Sequence, residues 1–216
     1  MSNSKYLVYV EGNIAAGKST FINMLKGELN ESSECFLEPL EKWTNLRGVN
    51  LLEDMYASPK SKSFNLQTYI QLTMAEIQMN KQTKPIKITE RSLMSERFVF
   101  IENLLENDLI GTVELSILDE WYQFLSKQFN KVNEIIYLQT TPETSYQRLR
   151  LRNRSEESSV SLDYITQIHN LYEKWLVLDP VHSLEGTKIR IINQNLALHE
   201  LIPIYNNIVV ELKQKL

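Results

Sequence analysis

Eight residues constrain this chain more than any others. Residues 12–19 spell Gly12-Asn13-Ile14-Ala15-Ala16-Gly17-Lys18-Ser19, a Gly-x-x-x-x-Gly-Lys-Ser pattern. Two glycines let the backbone wrap a polyphosphate with its N–H groups turned inward. Lys18 sets a positive charge near the β- and γ-phosphates, and the Ser19 hydroxyl can reach a Mg²⁺ ion. A helix that starts here turns its positive end toward the same anion. The flanks agree: residues 6–10 read as a buried strand, and Phe21, Ile22 and Leu25 give the next segment a helical apolar face. The motif implies a bound nucleoside triphosphate and leaves open what happens to its phosphate.

Alternation of apolar strand-like runs with helical patterns extends this local reading to the whole chain. Strands are expected at 6–10, 34–37, 87–90, 134–138 and 188–192. Helices are expected at 64–81, 112–129, 162–175 and 196–216, and Thr141-Pro142-Glu143 reads as a helix start. Such alternation predicts an α/β fold, a mostly parallel sheet covered on both faces, as one domain over residues 1–216. Net charge is −4, which argues against a nucleic-acid-binding surface. Cys35 is the only cysteine, so no intrachain disulfide can form and a reducing compartment is expected. No apolar run approaches the ~20 residues of a membrane span. With no signal-like or arginine-rich start, the cytoplasm is the expected location. His169, His182 and His199 share no metal-ligand spacing.

Ligands of parallel sheets sit beyond the carboxyl ends of the strands. Beyond the second comes Glu38-Pro39-Leu40-Glu41-Lys42-Trp43, and Pro39 stops the strand. Glu38 is either a loop glutamate in solvent or a general base, since a carboxylate facing phosphate needs a task. Trp43 is either core or a stacking surface. Beyond the third comes Glu90-Arg91-Ser92. Glu90 could serve Mg²⁺ through water and Arg91 could bridge acceptor and phosphate, or the two form an ordinary ion pair. Arg148, Arg150, Arg152 and Arg154 are half of the chain's eight arginines. They read as a flap closing positive charge over a triphosphate, or as a solvated helix end. Gln67, Ile70 and Met74 share one helix face and could form one wall of a base pocket.

These segments resemble the deoxyribonucleoside kinase family. The matching stretches are Glu11 through Thr20, Glu38 through Trp43, Asn50 through Tyr56, Gln67-Thr68-Tyr69, Glu90-Arg91-Ser92 and Arg148 through Glu157, in family order and spacing. The resemblance covers the chain from about Tyr6 to Trp175. It implies a P-loop NTPase fold with a five-stranded parallel sheet, helices on both faces and an arginine-rich lid. It further implies transfer of phosphate from ATP, with Mg²⁺, to the 5′-hydroxyl of a deoxyribonucleoside, pyrimidines preferred. Residues 12–20, with Arg148, Arg150, Arg152 and Arg154, would hold ATP, and Ser19 and Glu90 the metal. Glu38 would be the base and Arg91 would contact the acceptor oxygen. Tyr56 and Glu157 would hold the sugar 3′-hydroxyl, Gln67 would pair with the base edge, and Trp43 and Phe100 would line or stack on it. A homodimer is implied through the apolar helices at 92–107 and 112–129.

Three positions depart from the pattern. Leu66 stands where many members carry phenylalanine. Met74 stands where deoxycytidine and purine kinases carry arginine, and Glu96 where they carry that arginine's aspartate partner. An unpartnered carboxylate is costly if buried. Glu96 is therefore expected to turn toward Arg97 or solvent, or to contact a base amino group. The nearest alternative activity is a nucleoside monophosphate kinase such as thymidylate kinase, against which Glu38 would repel a charged acceptor. A GTPase-type switch lacks its Asn-Lys-x-Asp, since Asn80-Lys81-Gln82-Thr83 ends in threonine. A non-catalytic nucleotide-binding scaffold would not need every catalytic position filled.

Overall fold

Five short, strongly apolar strands build the sheet. They are β1 (Tyr6–Glu11), β2 (Ser33–Phe36), β3 (Ile86–Glu90), β4 (Glu134–Gln139) and β5 (Lys188–Asn193). The computed structural model describes residues 5–129, 131–180 and 184–216; His182 and the four residues at the start lie outside them. The spatial order is β2-β3-β1-β4-β5, and every pairing is parallel. Val10 of β1 lies opposite Glu90 of β3 and Ile136 of β4, so the strand ends that carry the chemistry are level.

Parallel strands need crossovers, and here these are helices. In chain order they are α1 (Lys18–Leu29), α2 (Leu40–Thr44), α3 (Leu51–Ala57), α4 (Pro59–Met79), α5 (Leu93–Ser95), α6 (Glu102–Glu106), α7 (Thr112–Ser126), α8 (Pro142–Arg152), α9 (Leu162–Glu173) and α10 (Leu198–Lys213). Strand alternation sorts them onto two faces. Val8, Val10, Ile86, Ile88 and Ile136 meet Phe21, Ile22 and Leu25 of α1 and Ile208 and Leu212 of α10. Leu7, Tyr9, Ile135 and Tyr137 face the other way, against Ile168, Leu171 and Tyr172 of α9. A further cluster joins Trp43, Met55, Leu66, Ile70, Met74, Leu93 and Leu125, tying α2, α3, α4 and α7 together beyond the sheet's carboxyl edge.

Most expected elements are present, with informative shifts. The α4 helix starts at Pro59, ahead of the expected residue 64, because proline is tolerated in a first turn. Thr141 caps α8 as expected, its hydroxyl accepting from Thr144 N at 3.4 Å. Residues 92–107 are not one uniform helix. Between α5 and α6 the chain widens into a π-helical stretch, Glu96–Ile101, and a second such stretch, Lys174–Leu178, extends α9. The short helices α2 and α3 escaped the periodicity reading because neither is long enough to show a 3.6-residue pattern.

Gly12 sits where no other residue fits. Its φ is 149°, and a Cβ there would lie 2.8 Å from the Leu138 carbonyl oxygen of β4. Gly12→Ala is expected to lower unfolding free energy by roughly 2 kcal/mol or more, read from the denaturant midpoint, because loop and strand must separate.

Candidate active site

The loop between β1 and α1 is held before any ligand arrives. Asn13 donates from Nδ2 to the Ile165 carbonyl at 2.9 Å and accepts from Ile14 N at 2.8 Å, pinning the loop to α9. Ala15 and Gly17 both take positive φ, which turns the backbone around an open centre. Lys18 is buried and donates from Nζ to the carbonyls of Gly12 and Asn13 at 3.1 and 2.9 Å. Burial, reinforced by the charge of Arg91, pulls its ammonium down to about 8. Ser19 donates toward both carboxylate oxygens of Glu90, at 3.1 and 3.0 Å. Burial raises the Glu90 carboxyl, and nearby Glu38 adds to it.

Arg91 follows β3 with φ 59°, a left-handed conformation unusual for a side chain of this size. Its backbone N–H donates to the Val10 carbonyl at 3.0 Å. Its guanidinium donates to Glu38 Oε1 at 2.5 Å and lies 4.7 Å from the Phe100 ring centre. Next in sequence, Ser92 donates to buried Glu11 at 2.7 Å, and Tyr172 donates to the other Glu11 oxygen at 3.1 Å. Burial pushes Glu11 up to about 7, against the pull of the Ser92 bond and of Arg91. The strained turn at Arg91 is thus tied on both sides.

Two cavities open along this edge. One, narrow, is lined by Glu38, Trp43, Tyr56, Gln67, Ile70, Arg91, Glu96, Phe100 and Glu157. The other, roomier, is lined by Gly17, Thr20, Arg148, Gln194, Leu196 and Tyr205. Ala15, Lys18, Ser19, Glu90, Arg152 and Arg154 line both. The two spaces therefore meet at the lysine, the hydroxyl and the carboxylate of the motif. That arrangement suits a phosphate donor on one side and an acceptor on the other.

The chain matches the family model described as deoxynucleoside kinase over residues 8–210. The chain belongs to the deoxynucleoside kinase family. Human mitochondrial thymidine kinase 2 is 39% identical over 174 residues, covering 80% of this chain and 65% of that protein. Human deoxycytidine kinase is 37% identical over 195 residues, 79% of this chain and 75% of its own length. A mitochondrial deoxyguanosine kinase of Xenopus laevis is 36% identical over 190 residues, 77% of this chain and 71% of its own. The chain thus spans slightly less than two thirds of the human thymidine kinase 2 that it matches.

Within this deoxynucleoside kinase fold, the expectations for Met74 and Arg150 need correction, and that for Glu96 is narrowed. Met74 does not line the acceptor cavity; it is fully buried among Trp43, Leu66 and Ile70. It shares the helix face of Gln67 but lies two turns further on, about 10 Å away along the axis. Glu96 turns neither to Arg97 nor to solvent. Arg97 is taken by Asp119 and Glu102, while Glu96, 2% exposed, lines the cavity. Arg150 lines neither cavity: it donates to Tyr146 and to the Ser158 carbonyl. Arg152 and Arg154 reach the shared edge, and both pair with Glu157, at 2.6 and 3.6 Å. Trp43 donates from Nε1 to Thr73 at 2.9 Å, which fixes its ring at the cavity wall.

Tyr164, Gln194 and Tyr205 line these spaces and carry no motif. Gln194 follows β5 directly, so its place beyond a strand end marks it. Tyr164 and Tyr205 lie on helices and have no comparable signal. Among the described residues no group of three His, Cys, Asp or Glu side chains is placed to hold a metal alone. Ser19 and Glu90 do present hard oxygen atoms, the ligand type that suits a Mg²⁺ ion carried largely by phosphates and water.

Burial pushes the Glu96 carboxyl up to about 8. A carboxyl raised above its unfolded value keeps its proton in the folded state while the unfolded chain has lost it. Stability therefore falls as pH rises from about 4.5 to about 8. Glu96→Gln removes that slope. The variant is expected to match the parent near pH 4.5 and to exceed it by a few kcal/mol, at most ~4, near pH 8. Denaturant melts across that range measure the gap.

Proposed function

We propose that this chain transfers the γ-phosphate of ATP to the 5′-hydroxyl of deoxyribonucleosides, pyrimidine nucleosides preferred, for nucleotide salvage. One observation carries the reading: the buried Glu38–Arg91 pair stands in one cavity, beside the lysine and hydroxyl that this cavity shares with a second. Glu38 Oε1 is committed to Arg91, which leaves Oε2 to take the proton of a nucleoside hydroxyl. Arg91 orients that carboxylate and faces the oxygen as it attacks. Lys18, Arg152 and Arg154 offset charge on the phosphates in an in-line displacement. Ser19 and Glu90 would hold Mg²⁺, which when bound neutralises charge on the β- and γ-phosphates. Gln67 offers an amide to the base edge, Trp43 and Phe100 pack on the ring, and Tyr56 and Glu157 receive the sugar 3′-hydroxyl. Residues 148–158, with Arg148 on the donor side, act as the lid.

Electrostatics favour a neutral acceptor over a monophosphate. Arg91, the arginine beside Glu38, is already paired with it, and Arg152 and Arg154 share Glu157 toward the donor side. An acceptor bearing close to two negative charges would be repelled by Glu38 at the place where it must react. ADP release should follow thymidine or deoxycytidine and not thymidylate; the reverse order refutes this reading. Glu38→Gln is expected to lower kcat by about 10³-fold, with nucleoside Kd changed less than about threefold by calorimetry.

The working unit we propose is a homodimer. Val113, Ile117, Trp121 and Phe124 form an exposed apolar stripe on α7, from 40% to 70% exposed, and Leu72 and Met79 extend it on α4. Trp121→Glu should halve the mass seen by light scattering. No helix among the described residues is long and apolar enough to cross a membrane. The free thiol of Cys35 supports a reducing compartment, and the cytoplasm is the one we propose.

A further inference from the structure

The turn that aims Arg91 is held against its own backbone preference, since a φ of 59° is disfavoured for any residue with a Cβ. The next residue, Ser92, is fully buried, and its hydroxyl works in two directions. Its oxygen accepts from Ser95 N at 3.3 Å, which starts α5, and its proton goes to Glu11 Oε1 at 2.7 Å. Glu11, the last residue of β1, is fully buried as well, and its other oxygen accepts from Tyr172 of α9 at 3.1 Å. Both carboxyl oxygens thus meet a hydroxyl donor. Glu11 lines neither cavity, so the contacts assigned above to phosphate and nucleoside leave it without a task. A buried acid is a costly filler for a core position.

Its place in the chain gives the Ser92 bond a reach that an ordinary core hydrogen bond lacks. Gly12 follows directly and opens the phosphate loop. The Gly12 carbonyl accepts from Lys18 Nζ at 3.1 Å and from a terminal nitrogen of Arg91 at 3.5 Å. The peptide chain therefore fixes Glu11 to the loop, and the Ser92 bond fixes it to the turn where Arg91 holds Glu38. The pairing of β1 with β3 ends at Val10 and Glu90, and Arg91 N–H still reaches the Val10 carbonyl. Beyond that rung, the side chains of Glu11 and Ser92 make the next link between the two strands.

We propose that Glu11 is a positioning residue: through Ser92 it sets where Arg91 and Glu38 stand relative to the phosphate loop, without touching either substrate. Its two bonds divide the work. Tyr172 anchors the acid to α9, and Ser92 passes that anchorage to Arg91. This rests on the reading of Glu38 and Arg91 as the pair that meets the acceptor hydroxyl.

The test is kcat with thymidine and ATP·Mg²⁺ both saturating, beside calorimetric Kd for thymidine and denaturant melts of each variant. Ser92→Ala and Glu11→Ala should each lower kcat by between about tenfold and about 100-fold, with Kd changed less than about threefold. Glu11→Gln keeps an acceptor for the Ser92 proton, so its kcat should stay within about threefold of the parent. The two alanine changes break one bond, so adding Glu11→Ala to Ser92→Ala should cost no more than about twofold further. A bond that only stabilises the fold would lower the denaturant midpoint and leave the kcat of folded protein unchanged. That outcome for Ser92→Ala overturns the proposal. So do losses that multiply in the double variant, and so does an equal fall in Glu11→Gln and Glu11→Ala. If Glu11→Ala does not fold, kcat and Kd of Ser92→Ala and Glu11→Gln decide. A Glu38→Gln protein that keeps the parent's kcat overturns the acceptor-side reading itself, a result distinct from all of these.

Discussion

Arg91 is the point on which the carboxyl edge of the sheet closes. A guanidinium buried this deeply needs compensation; its two terminal nitrogens find it while its Nε has no partner among the described residues, and each compensating group comes from a different element. Glu38 arrives from beyond β2, the Gly12 carbonyl from beyond β1, and Phe100 from the π-helical stretch. Its backbone hydrogen bond to Val10 and the neighbouring Ser92–Glu11 bond hold the left-handed turn that aims it. Removing one partner of such a pair leaves the other charge buried alone, which costs several kcal/mol. The arrangement therefore locks the region to which we assign the chemistry.

The same edge concentrates carboxyl groups that burial pushes toward their neutral forms. Glu11, Glu90 and Glu96 all sit behind or beside the cavities, with their carboxyls raised. Lys18 and Arg91 supply the positive charge that makes this tolerable. A stretch of like-charged groups held apart by single cations is a costly way to build a core. Its presence at one end of the sheet separates the apolar core from the edge to which we assign the chemistry.

Legibility in the sequence followed the physical range of each signal. The glycine-lysine-serine motif and the apolar strands act over a few residues, so the fold class, the strand positions and caps such as Thr141 could be read directly. The places of Glu38, Glu90 and Arg91 in the cavity lining were readable because ligands of parallel sheets sit beyond the strand ends. Met74 was misplaced because helical periodicity reports direction around the axis but not depth along it. Of the three places expected for Glu96, the one beside Arg97 is closed because Arg97 is claimed by Asp119 of α7, a contact made across 22 positions of sequence. Tyr164 and Tyr205 carry no spacing signal, since only tertiary packing brings their helices to the site.

The π-helical stretch Glu96–Ile101 has one more consequence. Such a stretch accommodates about one residue more than a regular helix spanning the same length, and both of its ends rejoin ordinary helix. On this stretch Glu96 faces the cavity, and Arg97 faces Asp119 and Glu102. A one-residue deletion in this stretch would leave α5 and α6 anchored while rotating the inner wall of the cavity. Insertions and deletions, usually confined to loops, thus have a foothold inside a buried helix, where length variation would alter selectivity while sparing the fold.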